Sequence, residues 1–140
     1  WFQAQLKLAE KNHKPVIIHS VRATDVIIQQ LKLHPNLRGV VHGFGSSLQQ
    51  AQNLIKLGFF IGIGTRLLHN PSPKAEDLVT QLPLESILLE TDSPDGLGKS
   101  VRNEPTGLML VANIIAKLRN QEPEVILATC TKNAQELFDL

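Results

Sequence analysis

A single cysteine, Cys130, is all the chain contains, so no internal disulfide can form and a reducing, cytoplasmic setting is the expectation. No apolar run approaches the roughly 20 residues that cross a bilayer, and no membrane contact is expected. The opening residues WFQAQLKLAEKNHK have the pattern of an amphipathic helix and not of a secretion signal. An excess of one charge is missing too. Lysine and arginine number 14 against 13 acidic residues, a net of +1, so contact with nucleic acid has to come from a local patch. No Gly-x-Ser-x-Gly elbow offers a serine nucleophile. Ile61-Gly62-Ile63-Gly64 lacks the third glycine and helix start of a dinucleotide fingerprint, and tight strand packing is the simpler reading. Neither linker, low-complexity tract nor exact repeat divides the 140 residues, whose 42% hydrophobic content suffices for one core.

What is present is a rhythm. Four short aliphatic segments recur, Val16 to His19, Gly39 to His42, Phe59 to Ile63 and Ile87 to Thr91, and helical periodicity lies between them. Thr24 is placed to cap a helix bearing Ile27 and Leu31, which Pro35 stops. Ser47 and Gln50 have capping-box spacing ahead of Leu48, Ala51, Leu54 and Ile55, with Gly58 as the stop. Ser72-Pro73 opens a helix with Leu78, Val79 and Leu82 on one face. A leading helix, another through Leu108 to Leu118 and a last one after Pro123 complete the pattern. Ser93 to Gly107 is the longest loop. Alternation of this kind predicts an α/β fold of parallel strands with helices outside, and leaves doubly wound sheet and barrel both open.

Polar residues sit where such folds place their chemistry. His19, His42 and Asp92 each stand at the C-terminal end of an apolar segment. Strand alternation puts Glu90 with Asp92, and Val40 with His42, on one side. Two imidazoles and a carboxylate suit a divalent ion of the Zn, Mn, Ni or Co type, which polarises a phosphoryl or carbonyl oxygen and acidifies its bound water. In that scheme Asp92 is both ligand and proton acceptor, and Glu90 orients a ligand histidine from behind. Arg22 and Arg102 are the cations placed to hold a phosphate oxygen. Each residue has a plainer reading: a hydrogen-bonded strand-end histidine, a turn aspartate, a solvated arginine. Cys130 reads as helix packing, and His13, His34 and His69 as solvated or capping groups.

The ordered run PVIIHS with Arg22 nearby, GVVHGF, FFIGIG, LLETDSP, RNEP and TKNAQELF resembles the C-terminal half of TatD-type metal-dependent deoxyribonucleases, across nearly the whole chain. That resemblance implies a TIM barrel of the metallo-dependent hydrolase type, of which residues 1–140 would form a single partial domain with about the last four β/α units. It implies His19, His42 and Asp92 as metal ligands, a divalent cofactor (Zn, Mn, Mg, Ni or Co) and a phosphodiester substrate such as DNA. The family's first-strand His-x-His and fourth-strand glutamate have no counterpart here. Val21 stands where the family carries an arginine, Gly45-Ser46 inverts its Ser-Gly, and Thr65 replaces its glycine after IGIG. Half a barrel would leave open edges on the strands bearing Ile17 and Leu89, which invites self-association. The competing reading is a non-catalytic remnant that binds metal or self-associates; a sugar-phosphate or amide hydrolase would share the same ligands.

Overall fold

A computed structural model of the chain describes residues 1–65, 72–95 and 102–140; His69 and the middle of the Ser93–Gly107 loop lie outside the described residues. Helix α1 (Phe2–Lys11) leads into strand β1 (Val16–His19), followed by α2 (Thr24–Leu31), β2 (Gly39–His42), α3 (Leu48–Lys56) and β3 (Phe59–Gly64). Then come α4 (Pro73–Gln81), β4 (Ile87–Glu90), α5 (Leu108–Arg119) and α6 (Pro123–Phe138). Short 3-10 turns at Leu84–Ser86 and Pro105–Gly107 precede β4 and α5.

Local chemistry accounts for most of these boundaries. At α3 the Gln50 amide donates to the Ser47 hydroxyl, and the Ser47 amide donates to Gln50 Oε1 at 3.0 Å, closing the capping box. Gly58 then turns the chain at φ +84°, a backbone angle that costs a residue with a Cβ far more. Ser72 caps α4 by accepting from the Ala75 amide, with Pro73 in the first turn. Thr24 departs from expectation. It is the first helical residue of α2 rather than its cap, and its buried hydroxyl bonds Ser20 Oγ at 3.0 Å and Ser46 Oγ at 2.6 Å. Two partners in neighbouring loops satisfy that hydroxyl better than the helix end would.

The four strands form one parallel sheet in the order β1-β2-β3-β4. Each new strand adds on the same side as the last, as in a barrel wall; a doubly wound sheet reverses direction at a switch point. Ile18, Val41, Ile61, Ile63 and Ile87 face the helices, each with no more than 4% of its surface exposed. Against them pack Leu31, Leu54, Leu78, Val111, Ile115 and Ile126 of the surrounding helices. Full burial of such a side chain is worth about 1.5–3 kcal/mol, so this layer carries most of the fold's cohesion.

The opposite face is only partly covered. Ala134, Leu137 and Phe138, at the end of α6, close over Val40, Phe60 and Leu88. Asn133 donates from that helix to the carbonyls of Leu84 and Ile87, and Arg38 donates to the Glu136 carbonyl. On the first strand, however, Ile17 is 64% exposed. Among the described residues β1 and β4 each pair along one side only, leaving two open edges.

Adjacent residues of β1 therefore differ in kind. Ile18→Ala should cost about 2–5 kcal/mol in urea unfolding, and Ile17→Ala about 0.5 kcal/mol or less. Equal costs at both positions would contradict this assignment of the two faces.

Candidate active site at the mouth of the sheet

Parallel register sets the site. His19 is the direct partner of His42 across β1 and β2, so both imidazoles leave the same face at the same height. His19 Nδ1 lies 2.8 Å from His42 Nε2, with ring centroids 4.8 Å apart and planes tilted by 39°. One nitrogen of that pair donates and the other accepts. The pair lines a pocket of about 520 Å³ together with Arg22, Lys74, Glu90 and Asp92.

Glu90 enters the pocket from the end of β4. Its carboxylate lies over β3, where Gly62 and Gly64 present no side chains. A Cβ at Gly62 would stand 2.8 Å from the His42 Cα and 3.1 Å from Glu90 Cδ, and one at Gly64 would stand 2.8 Å from Glu90 Cγ. The two glycines of IGIG thus clear the space that Glu90 fills, which gives their tight packing a specific object. Glu90 Oε1 accepts from the Gly43 amide at 2.5 Å and stands 4.0 Å from His42 Nδ1, in ion-pair range but too far for a hydrogen bond. Burial pushes this carboxyl up to about 7; the Gly43 N–H opposes that rise and the nearby Asp92 charge adds to it.

Asp92 reaches the same pocket by another route than strand alternation. Strand β4 ends at Glu90, and Asp92 sits two residues beyond it with φ +60°, in the left-handed region. Aspartate tolerates that conformation better than most residues, yet it still has to be held there. Arg22 (φ +53°) and Gly43 (φ +56°) adopt the same region just after β1 and β2, so three strands end in the same abrupt turn around the mouth.

Arg22 lines this pocket, whereas Arg102 is exposed in a separate shallow pocket with Ser93, Pro94 and Glu104. His34 is a correction: it is buried, with Nδ1 2.7 Å from Glu10 Oε2, and ties the loop after α2 to α1. His13 is exposed and Cys130 is buried, its thiol pushed up to about 12 by burial. Thr65 and Asn103, both 2% exposed, carry no motif that sequence reasoning recognises as functional, yet they join the ends of β3 and β4 through Thr65 Oγ1, which donates to the Thr91 carbonyl at 2.8 Å. The hints were Thr65 standing where a glycine was expected and Asn103 lying within the RNEP segment.

For a divalent metal the donors are right in kind. Two imidazole nitrogens converge and a carboxylate lines the same pocket. Among the described residues, however, no group of three or more His, Cys, Asp or Glu is arranged so that it could hold a metal ion. The chain presents a converged histidine pair and a neighbouring acid, not a closed cage.

Comparison with known proteins identifies the family. The family model described as TatD related DNase matches residues 1–139. The chain belongs to the TatD family. It is 39% identical over 140 residues to a protein of Escherichia coli K12 named uncharacterized metal-dependent hydrolase YjjV, covering 97% of this chain and 54% of that one. A human relative named deoxyribonuclease TATDN3 is 35% identical, over 96% of this chain and 48% of that protein. The crystal structure of YjjV, a TatD homologue from E. coli K12, superposes with a TM-score of 0.89 at 38% identity, covering 97% of this chain and 54% of that chain. The four β/α units are therefore part of the TatD type of TIM barrel, and the chain spans about half the length of the relatives it matches.

The clearing on β3 is testable in the TatD chain. Gly62→Ala should drive the Glu90 carboxylate away from Gly43, seen as an upfield shift and faster exchange of the Gly43 amide in NMR spectra. An unchanged Gly43 signal would show that the glycine is not what makes room for Glu90.

Proposed function

We propose that this chain contributes to a metal-dependent hydrolase acting on phosphodiester bonds, DNA in particular, and that residues 1–140 form one partial domain, the C-terminal half of a TatD-type (β/α)8 barrel. The observation that carries the reading is the 2.8 Å approach of His19 Nδ1 to His42 Nε2 at the strand mouth, with Asp92 in the same pocket. Support comes from relatives whose names call them metal-dependent hydrolases or a deoxyribonuclease.

His19 and His42 would hold the ion through the two nitrogens that now share a proton, and Asp92 would add an anionic oxygen. Zn, Mn, Mg, Ni and Co all remain candidates for these donors. When bound, such an ion supplies Lewis acidity and a water acidic enough to be a nucleophile near neutral pH. Asp92 would be the group placed to take up a proton, at a carboxylate oxygen. Glu90, held by the Gly43 amide, stands 4.0 Å from the far nitrogen of His42 and would orient that ring from behind. Arg22 supplies the cation for a phosphate oxygen, while Arg102 meets only a substrate that extends beyond the pocket. The remaining ligands of a working site would come from outside these four units.

A second reading has its own observation. The lack of any three-ligand group among the described residues, together with the exposure of Ile17 on the inner face, favours a non-catalytic chain that binds metal weakly or associates with itself across its open edges.

Calorimetric titration of the 140-residue chain with Zn²⁺ or Mn²⁺, with an assay of turnover, tests the metal site that the first reading requires. His19→Ala with His42→Ala should weaken binding at least about 100-fold, while the unaltered chain shows no turnover of DNA or of an activated phosphodiester. Unchanged affinity in the double variant would remove the metal site. Robust cleavage by the isolated chain would instead show that its own residues complete the centre.

A further inference from the structure

The Asp92 turn is stapled from outside its own strand. Thr91 Oγ1 lies 2.8 Å from Ser93 Oγ, and the Asp95 amide donates to the Asp92 carbonyl at 3.0 Å, but these bonds lie within the turn. The external hold comes from Asn103, which follows Arg102 in the RNEP segment. Its Nδ2 donates to the Thr91 carbonyl on one side of Asp92 and to the Asp95 carbonyl at 2.6 Å on the other. The same amide group lies 3.0 Å from Thr65 Oγ1, which itself donates to the Thr91 carbonyl, and the Asn103 backbone amide donates to the Pro94 carbonyl at 3.0 Å. Gly107 leaves room for this carboxamide: a Cβ there would stand 3.1 Å from Asn103 Oδ1.

We infer that Asn103 is a positioning residue, holding Asp92 in its left-handed turn so that the carboxylate is presented to the histidine pair. The inference rests on the reading of Asp92 as a metal ligand and deepens it. An asparagine at 2% exposure whose two carboxamide N–H donors are shared among three acceptors of two chain segments gains little by packing alone. Its bonds converge on the carbonyls at the two ends of the Asp92–Pro94 turn, the turn in which Asp92 holds a left-handed backbone angle. Any substitution that removes the carboxamide donors loosens the turn while leaving every proposed ligand in place.

The test is a titration of the 140-residue chain with Co²⁺, followed by absorption, for Asn103→Ala, Asp92→Ala and the double variant, with a thermal melt of each. Asn103→Ala should weaken Co²⁺ binding about tenfold or more and speed hydrogen exchange of the Asp95 amide in the metal-free chain. In the Asp92→Ala background the same substitution should change Co²⁺ affinity by less than about twofold. Equal losses in both backgrounds would reduce Asn103 to a general stabiliser and overturn the inference. So would intact Co²⁺ binding in Asn103→Ala when Asp92→Ala binds weakly. If Asp92→Ala itself binds normally, the ligand reading of Asp92 falls, and the positioning role with it. Should Asn103→Ala not fold, Thr65→Val removes the hydroxyl that donates to the Thr91 carbonyl and accepts from the Asn103 carboxamide. It should weaken Co²⁺ binding in the same direction, again only when Asp92 is present.

Discussion

In the β1–β2 ladder His19 is level with His42, and the rest of the site is arranged around that pairing. Side chains alternate faces with a period of two, so a slip of one residue would turn one imidazole towards the helices and bury it among Ile18 and Val41. The register is held by what lies below. Val16 pairs with Gly39, where a side chain would strike Phe59 at 2.8 Å, and the helix-facing isoleucines fix the same alignment from behind. The core thus acts on chemistry indirectly, by making one strand alignment far more favourable than its neighbours.

Around the histidines the structure exchanges bulk for polar density. Two glycines on β3 give up packing so that a partly buried carboxylate can cross the sheet, and the backbone amide of Gly43 offsets part of the cost of desolvating it. Hydroxyls do similar work at the rim. Thr24 joins the loops after β1 and β2 through Ser20 and Ser46, while Thr65 and Asn103 join the ends of β3 and β4. Each loop that carries a candidate functional side chain is tied to a neighbouring loop or strand end by a partly or fully buried polar contact, so the mouth is ordered by bonds between loops as well as by the strands beneath.

The two faces of the sheet are unequal. Helices close one side with an apolar layer, whereas among the described residues the other is covered only at its lower end by the last turns of α6. The polar mouth and the uncovered first strand share this second face. In relatives about twice as long, the matched portion is one part of a larger barrel, and the shape of this chain agrees closely with that part.

Element type and order were legible in the residues alone: aliphatic runs with β-branched side chains, capping serines and terminating glycines act locally, through neighbours a few positions away. The histidines at the ends of their strands were legible for the same reason. The purpose of Gly62 and Gly64, the pairing of His34 with Glu10, the separation of Arg102 from the pocket and the left-handed turn at Asp92 were not. Each depends on groups distant in sequence that meet only when parallel strands stack in register, and no local propensity encodes such a meeting. The sequence by itself determined which elements form and which ends carry chemistry; tertiary structure decided which side chains touch, because contact across a sheet is set by alignment and packing of segments far apart along the chain.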